Sequence, residues 1–201
     1  MLFRSSFRNM RWVNWEEVFA YLGFPIFMKP AYGGGWKDVY KCGNPQEFFA
    51  AYDQTRDLTM MAQETIEFDS YFRCYVLGRK RVHIMQYDPK QPHHLRYVPG
   101  NPPPDAALGE RIVGDALKLC RALGYDLNTV EFAVEDGVPY AIDFMNPAPD
   151  AGVESVGREN FEWIVNAVAE MAVARALEAP SVSDLNWAHF LAGGLGEGTA
   201  S

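Results

Sequence analysis

Two carboxylates close to a tight turn are the first residues with a chemical use. They lie in the segment Glu131-Phe132-Ala133-Val134-Glu135-Asp136-Gly137-Val138-Pro139-Tyr140-Ala141-Ile142-Asp143. A three-residue loop, Glu135-Asp136-Gly137, with Gly137 left-handed, predicts that Val134 pairs with Val138, Phe132 with Tyr140 and Val130 with Ile142. Glu131, Ala133, Ala141 and Asp143 then share one face, with the acids as diagonal neighbours roughly 7 Å apart at the backbone. A two-residue Asp-Gly turn would put the acids on opposite faces and scramble the apolar set, so apolar patterning favours the shared face. Two carboxylates on one face repel unless something neutralises them. A hard divalent cation would do so, with Asn146 as a further oxygen donor. The competing interpretation is a solvated sheet face bearing two ordinary acids.

A glycine loop is the second such feature: Phe27-Met28-Lys29-Pro30-Ala31-Tyr32-Gly33-Gly34-Gly35-Trp36-Lys37. Consecutive glycines allow close approach of backbone to ligand and can aim N–H groups at one anion. Lys29 and Lys37, placed on the flanking strands, would add positive charge, giving a lid over polyphosphate. A flexible hairpin with two solvated lysines is the alternative. No Gly-Lys-Ser/Thr ends the loop, so it is not a P-loop. Trp36 would either shield phosphate from water or pack the lobe.

The remaining candidates carry less. His93 and His94 sit with Arg96 in a proline-rich loop and, being adjacent, do not suit a zinc pair. Arg79-Lys80-Arg81 is a solvated turn, and His83, alternating with apolar neighbours, is a partly buried, satisfied residue. Acidic residues outnumber basic ones 26 to 18. That balance argues against a nucleic-acid binder or a polybasic membrane patch. No run approaches ~18 apolar residues, so no transmembrane helix is expected. Cys42, Cys74 and Cys120 are widely spaced, form no metal or redox motif and suit reduced cytosolic thiols.

The elements that must position these residues follow from periodicity and caps. Residues 1–12 form a basic, aperiodic arm. Asn14 caps a short helix ended by Gly23, and 24–30 and 36–42 are strands around the glycine turn. Asn44 caps a helix with Pro45 at its first position, running to about Asp53. A short strand covers 59–63. Strands at 71–77 and 81–87 join at 78–80. Residues 88–105 hold six of the 13 prolines and are loop. An amphipathic helix covers 106–123, a hairpin 129–144, a loop 147–157 and a long core helix 161–177, with Trp163, Ile164, Val168, Met171 and Leu177 inward. The tail from Pro180 is Ser/Gly-rich. Strands and helices do not alternate strictly, which favours an α+β fold with mainly antiparallel sheets.

In order and spacing, Lys29-Pro30 with the glycine loop, Ala62-Gln63-Glu64-Thr65-Ile66, Arg73-Cys74-Tyr75-Val76-Leu77-Gly78, Glu131 and Ile142-Asp143-Phe144-Met145-Asn146-Pro147 resemble the ATP-grasp superfamily over about residues 20–165. The resemblance implies two α+β lobes around a nucleotide cleft: a smaller lobe at 1–65, a larger lobe with the metal site at 66–180, and a tail at 181–201. It implies ATP and Mg²⁺ (or Mn²⁺) as cofactors. Lys29 would reach the α/β phosphates, and Gly33, Gly34 and Gly35 the β/γ phosphates, with Lys37 assisting. Gln63, Glu64 and Ile66 would hold adenine, and Glu67, Asp69 or Tyr71 the ribose. Glu131, Asp143 and Asn146 would bind metal. Arg73 would act on the transferred phosphoryl group, and Arg96 would help position an acyl phosphate.

The implied activity is a cytoplasmic carboxylate–amine ligase, with small-molecule acid and amine substrates and neither nucleic acid nor membrane as a partner. A nucleotide-binding module without independent catalysis is the alternative. Three departures stand out. The metal motif is one residue longer than the family's acid-x-Asn. Tyr87 stands where many members carry an arginine, with Lys90, His93, His94 and Arg96 nearby. The family's N-terminal substrate domain and upstream lysine have no counterpart, so an upstream domain or subunit is an expected partner.

Overall fold

The computed structural model describes residues 13–92, 95–97 and 103–178. The basic arm, His93, His94 and the tail lie outside the described residues. The chain divides into two compact units, Met1–Ile66 and Glu67–Ser201.

In the first unit, Asn14 caps α1 (Trp15–Leu22), its side chain accepting from the Glu17 N–H. Asn44 caps α2 (Pro45–Gln54) by accepting from the Glu47 N–H at 2.9 Å, while the Glu47 carboxylate accepts from the Gly43 N–H at 2.7 Å. These bonds satisfy donors that the first helical turn leaves open. Three antiparallel strands, β1 (Ile26–Pro30), β2 (Tyr40–Cys42) and β3 (Met60–Glu64), lie in the order β2-β1-β3. Strand alternation splits them cleanly. Ile26, Met28 and Cys42 are buried with Phe48 and Ala51, and Trp15, Phe19 and Phe24 pack against that core. Phe27 stands opposite Lys41 and Gln63, and Lys29 opposite Met61, so these five residues share the other face.

The strand expected at 36–42 begins only at Tyr40. Trp36 and Asp38 have φ of 65° and 58°. Left-handed backbone cannot continue a pleat, so Lys37 sits in a turn and not on a flanking strand.

The second unit is a four-stranded antiparallel sheet in the order β5-β4-β6-β7, from β4 (Ser70–Leu77), β5 (Arg81–Gln86), β6 (Leu127–Glu135) and β7 (Val138–Asn146). Helix α3 (Ala106–Leu123) is capped by Asp105 and stopped by Gly124 in the left-handed conformation. Its Ile112, Ala116 and Cys120 bury against Phe72, Cys74, Val76, Val130, Phe132 and Val134 on one sheet face. The opposite face holds Tyr75 and Met85 against Val156 of α4 (Val153–Val156) and Ile164 of α5 (Arg158–Leu177).

Two sequence expectations need correction here. The segment 147–157 contains the single turn α4 and is not loop throughout. The long helix starts at Arg158, and Leu177, expected inward, is 82% exposed, since only Ile164 and Ala167 are fully buried in α5. His83 is half-buried as expected, stacked on Trp163 at 4.5 Å with its Nε2 2.7 Å from Asn160 Oδ1. The three cysteines are free and buried. Among the described residues no helix is long and apolar enough to cross a membrane.

Candidate functional site

The hairpin reaches the shared acidic face by a route the sequence did not suggest. Glu135 pairs with Val138, leaving a two-residue turn of Asp136 and Gly137, with φ of 52° and 74°. Both residues are left-handed, as a type I′ hairpin requires, and Asp-Gly suits that turn. The ladder then runs Val134 to Pro139, Ala133 to Tyr140 and Phe132 to Ala141. That register would place the acids on opposite faces. An irregularity between Glu131 and Phe132 adds one residue on β7, and Glu131 comes to lie directly opposite Asp143. A bulge shifts every later side chain by one position, so it restores what the shorter turn had reversed. The acids are therefore direct cross-strand neighbours and not diagonal ones. Ala141, expected beside them, packs on the α3 side instead.

Arg73 on β4 is the cross-strand partner of Glu131 on its other side. Glu131 thus sits in the middle of a row, Arg73–Glu131–Asp143, spanning three strands. Arg73 is 8% exposed. Its Nε stands 3.5 Å from Glu131 Oε1, and its Nη1 donates to the Tyr97 hydroxyl at 2.6 Å. The Tyr71 hydroxyl donates to Glu131 Oε2 at 2.7 Å. Burial pushes the Glu131 carboxyl above its ordinary value, against the pull of Arg73 and Tyr71. Burial also raises the phenols of Tyr71, Tyr87 and Tyr97, which stay protonated near neutrality. Burial works against the charge of Arg73, yet Tyr97 and Glu131 hold its guanidinium protonated.

Arg96 reaches the same place from the proline-rich loop. Its Nη1 donates to the Tyr87 hydroxyl at 3.1 Å and its Nε to the Gln91 carbonyl at 3.1 Å. Tyr87 lies between the two cations, its ring 5.6 Å from the Arg73 guanidinium carbon and 5.9 Å from that of Arg96. A tyrosine thus occupies the strand end where the resemblance led to an arginine, and it holds an arginine supplied by the loop.

Asn146 stands opposite Thr129, and its N–H donates to Asn128 Oδ1 at 2.8 Å. The donor set for a cation consists of the half-buried Glu131, the exposed Asp143 and the half-buried Asn146. Hard oxygen donors of this kind suit magnesium. Arg73 Nε is buried and makes no hydrogen bond among the described residues, so the Glu131 Oε1 beside it is met only by the longer ion pair. That oxygen is the one a cation could take while Tyr71 keeps the other. Among the described residues no three His, Cys, Asp or Glu side chains cluster as a metal site. Water or ligand oxygens would have to complete the shell. The residues fit the ion on those terms.

Of the expected ribose contacts, Asp69 and Glu67 are tied to the hairpin end. Asp69 Oδ2 accepts from the Asp136 N–H at 3.3 Å, and the Glu67 N–H donates to Glu135 Oε1 at 3.0 Å. The Tyr71 hydroxyl is already engaged by Glu131.

The other candidates belong to the first unit. Lys29 and Gln63 are half-buried on the sheet face away from α1 and α2; Gly33, Gly34, Gly35 and Lys37 are exposed in the connection after β1. Gly35 has φ +70°, a conformation that glycine adopts without strain. Trp36 is 45% exposed, its ring edge-on to Phe27 at 6.5 Å. Glu64 is exposed and Ile66 half-buried at the junction of the units. Sequence reasoning missed Lys41, which shares the Phe27 face and lies 5.8 Å from that ring. It missed Tyr97 as well. The alternation Phe27-x-Lys29 with Lys41 on the partner strand was a usable signal for the first; nothing local marks the second.

No family model matches the chain. Among curated proteins, it is similar to pyruvate carboxylase 1 of Caenorhabditis elegans, 28% identical over 81% of this chain and 15% of that one. Similarity to the Aspergillus niger pyruvate carboxylase is also 28%, over 67% and 13%. Among solved structures, the D-alanine–D-alanine ligase of Bacillus anthracis superposes with a TM-score of 0.65, at 19% identity, over 81% of this chain and 59% of that one. The same ligase complexed with ATP gives 0.63, at 19% identity, over 83% and 58%. The VanG D-Ala:D-Ser ligase of Enterococcus faecalis gives 0.61, at 22% identity, over 80% and 52%. The chain therefore spans under a sixth of the curated relatives and somewhat over half of the solved ligases. At these identities the likeness speaks for architecture, and the two-unit, antiparallel α+β chain has the ATP-grasp fold.

Proposed function

We propose that the chain is the ATP- and magnesium-dependent part of a ligase that activates a carboxylate as an acyl phosphate for attack by an amine or similar nucleophile. The observation that carries this reading is the row Arg73–Glu131–Asp143, a fixed cation beside two carboxylates on one sheet face. It occurs in a fold shared with ligases, one of them solved with ATP. Phosphoryl transfer needs little covalent participation from protein; it needs charge placed where the phosphate oxygens will be.

Glu131, Asp143 and Asn146 would hold the ion, whose positive charge would offset that of the phosphate groups. Arg73, fixed by Tyr97 and Tyr87, would face the phosphoryl group as it leaves ADP. Arg96 would take an oxygen of the acyl phosphate formed. Lys29 would neutralise the inner phosphates. Gly33, Gly34 and Gly35 would present backbone N–H groups to the outer ones and exclude water, with Lys37 from the neighbouring turn. Gln63, Glu64 and Ile66 would hold the adenine, and Asp69 the ribose. The acid and the amine would be selected by a domain or subunit upstream.

ADP release coupled to a panel of carboxylates and amines tests the reaction, and thermal shift with Mg-ATP tests the binding. No stabilisation by Mg-ATP at millimolar concentration would refute both. Stabilisation without ADP release from any mixture would leave a nucleotide-binding module.

A further inference from the structure

A guanidinium has donors only, and a phenol has one proton and room to accept. The Tyr97 hydroxyl accepts from Arg73, and the Tyr87 hydroxyl accepts from Arg96. Each phenol therefore keeps its own O–H, and among the described residues neither donates it to an acceptor. Tyr71 is the contrast, since its proton goes to a carboxylate, Glu131. Tyr87 is 4% exposed and Tyr97 half-buried, and their rings are 5.1 Å apart. Unused donors in a buried site cost stability unless a ligand takes them. Two guanidiniums, held by Glu131 and by the Gln91 carbonyl, thus converge with two hydroxyl protons that no described residue accepts.

We propose that Tyr97 and Tyr87 are ligand-contacting residues that donate to the oxygens of the phosphoryl group in transit, the γ-phosphoryl of ATP before transfer and the acyl phosphate after it. Arg73 and Arg96 set the direction of those donations by occupying the acceptor side of each hydroxyl. This deepens the proposed function and rests on it for the identity of the phosphoryl group. The donor pair itself rests on geometry alone.

The experiment titrates inorganic phosphate into the full chain by calorimetry in magnesium buffer, without nucleotide, with saturating Mg-ADP, and with a non-hydrolysable Mg-ATP analogue. Phosphate binding is expected in the first two conditions and is suppressed in the third. Tyr97→Phe and Tyr87→Phe each weaken phosphate about tenfold, while Tyr125→Phe leaves it unchanged. Replacing Tyr97 by 3-fluorotyrosine separates donor from prop: the more acidic hydroxyl donates better and accepts less well, so phosphate binding tightens. Phosphate affinity within twofold of wild type in the Phe variants overturns the proposal. So does looser binding with 3-fluorotyrosine, undiminished binding beside the ATP analogue, or no binding at all. If the Tyr87 variant loses its circular dichroism, the more exposed Tyr97 variants decide. Melting with Mg-ATP alone reads the nucleotide function separately, and its failure leaves the nucleotide-free phosphate titration as the judge of the two donors.

Discussion

The two units carry their candidate residues in opposite states. In the first, Gly33, Gly34, Gly35 and Lys37 are exposed on irregular backbone, and the sheet face with Lys29 and Gln63 is not covered by the unit's own helices. In the second, the buried Arg73 and the half-buried Glu131 lie on adjacent central strands and are paired before any ligand arrives. The difference teaches where preorganisation is placed. A group that stabilises developing charge must be fixed in advance, because reorganising it during the reaction forfeits the gain. A loop that admits and covers a nucleotide must move, and local stability has to be low there.

The largest effect expected from breaking this contrast is at Arg73. Arg73→Met leaves Glu131, its side chain only 15% exposed, without its cation and should cost about 3–5 kcal/mol in urea unfolding. Adding Glu131→Gln should recover most of that, because the stranded charge is then gone. A loss under about 1 kcal/mol for Arg73→Met alone would mean the pair is not a desolvated charge centre. Next is Asp143, which is exposed and so dispensable for folding. Asp143→Asn should leave the melting temperature nearly unchanged and weaken Mg-ATP about tenfold by calorimetry. Asp150→Asn should weaken it much less; equal effects would contradict the metal assignment.

The first unit should respond in the reverse manner. A Cβ added at Gly34 meets no atom within 4 Å, and its φ is not left-handed. Gly34→Val should therefore stay within about 0.5 kcal/mol of wild-type stability. Its bulk should still loosen Mg-ATP, by less than Asp143→Asn does. Gly35→Val should cost roughly 1–2 kcal/mol from backbone strain at φ +70°. Unchanged nucleotide affinity in both variants would remove the loop from the site.

What could be read in the sequence, and what could not, follows the range of the interaction responsible. Helix α3 lies at 106–123 as expected because Asp105 and Gly124 are local stop signals. The alternation that buries Phe132 and exposes Glu131 to its neighbours on the other face is equally local. The bulge is not: an extra residue in β7 decouples turn length from facing, and apolar patterning led to the wrong turn with the right pair of acids. The strand lost at 36–39 belongs to the same class, because two non-glycine residues adopt positive φ there. Tyr97 lies 24 residues from Arg73 across a proline-rich loop, and no spacing rule joins them. The paired state of the larger unit is thus a product of tertiary contacts, whereas the open loop of the smaller one is announced by its glycines.

The smallest expected effect sharpens the comparison within the second unit itself, between a carboxylate at the candidate centre and one at the periphery. Asp126 accepts from Arg79 Nε and from Arg175 Nη2, each at 2.8 Å, on a partly exposed edge. Burial pushes its carboxyl upward, but the two arginines outweigh burial and hold it below the ordinary 3.8. Its stabilising contribution is therefore complete above about pH 4 and is lost as pH falls through the depressed folded value. Glu131 has the opposite sign. Its carboxyl is held above the ordinary 4.5, so the folded state favours the protonated form. That contribution is complete below 4.5 and is lost as pH rises through the raised folded value. Unfolding measured from pH 3 to 8 should show Asp126→Asn losing its penalty on the acid side and Glu131→Gln gaining relative stability toward the neutral side. The Asp126 effect should be the weaker, since exposed pairs are screened by solvent and salt. Parallel pH profiles for the two variants would mean that the charge at the candidate centre is held no differently from charge at the edge.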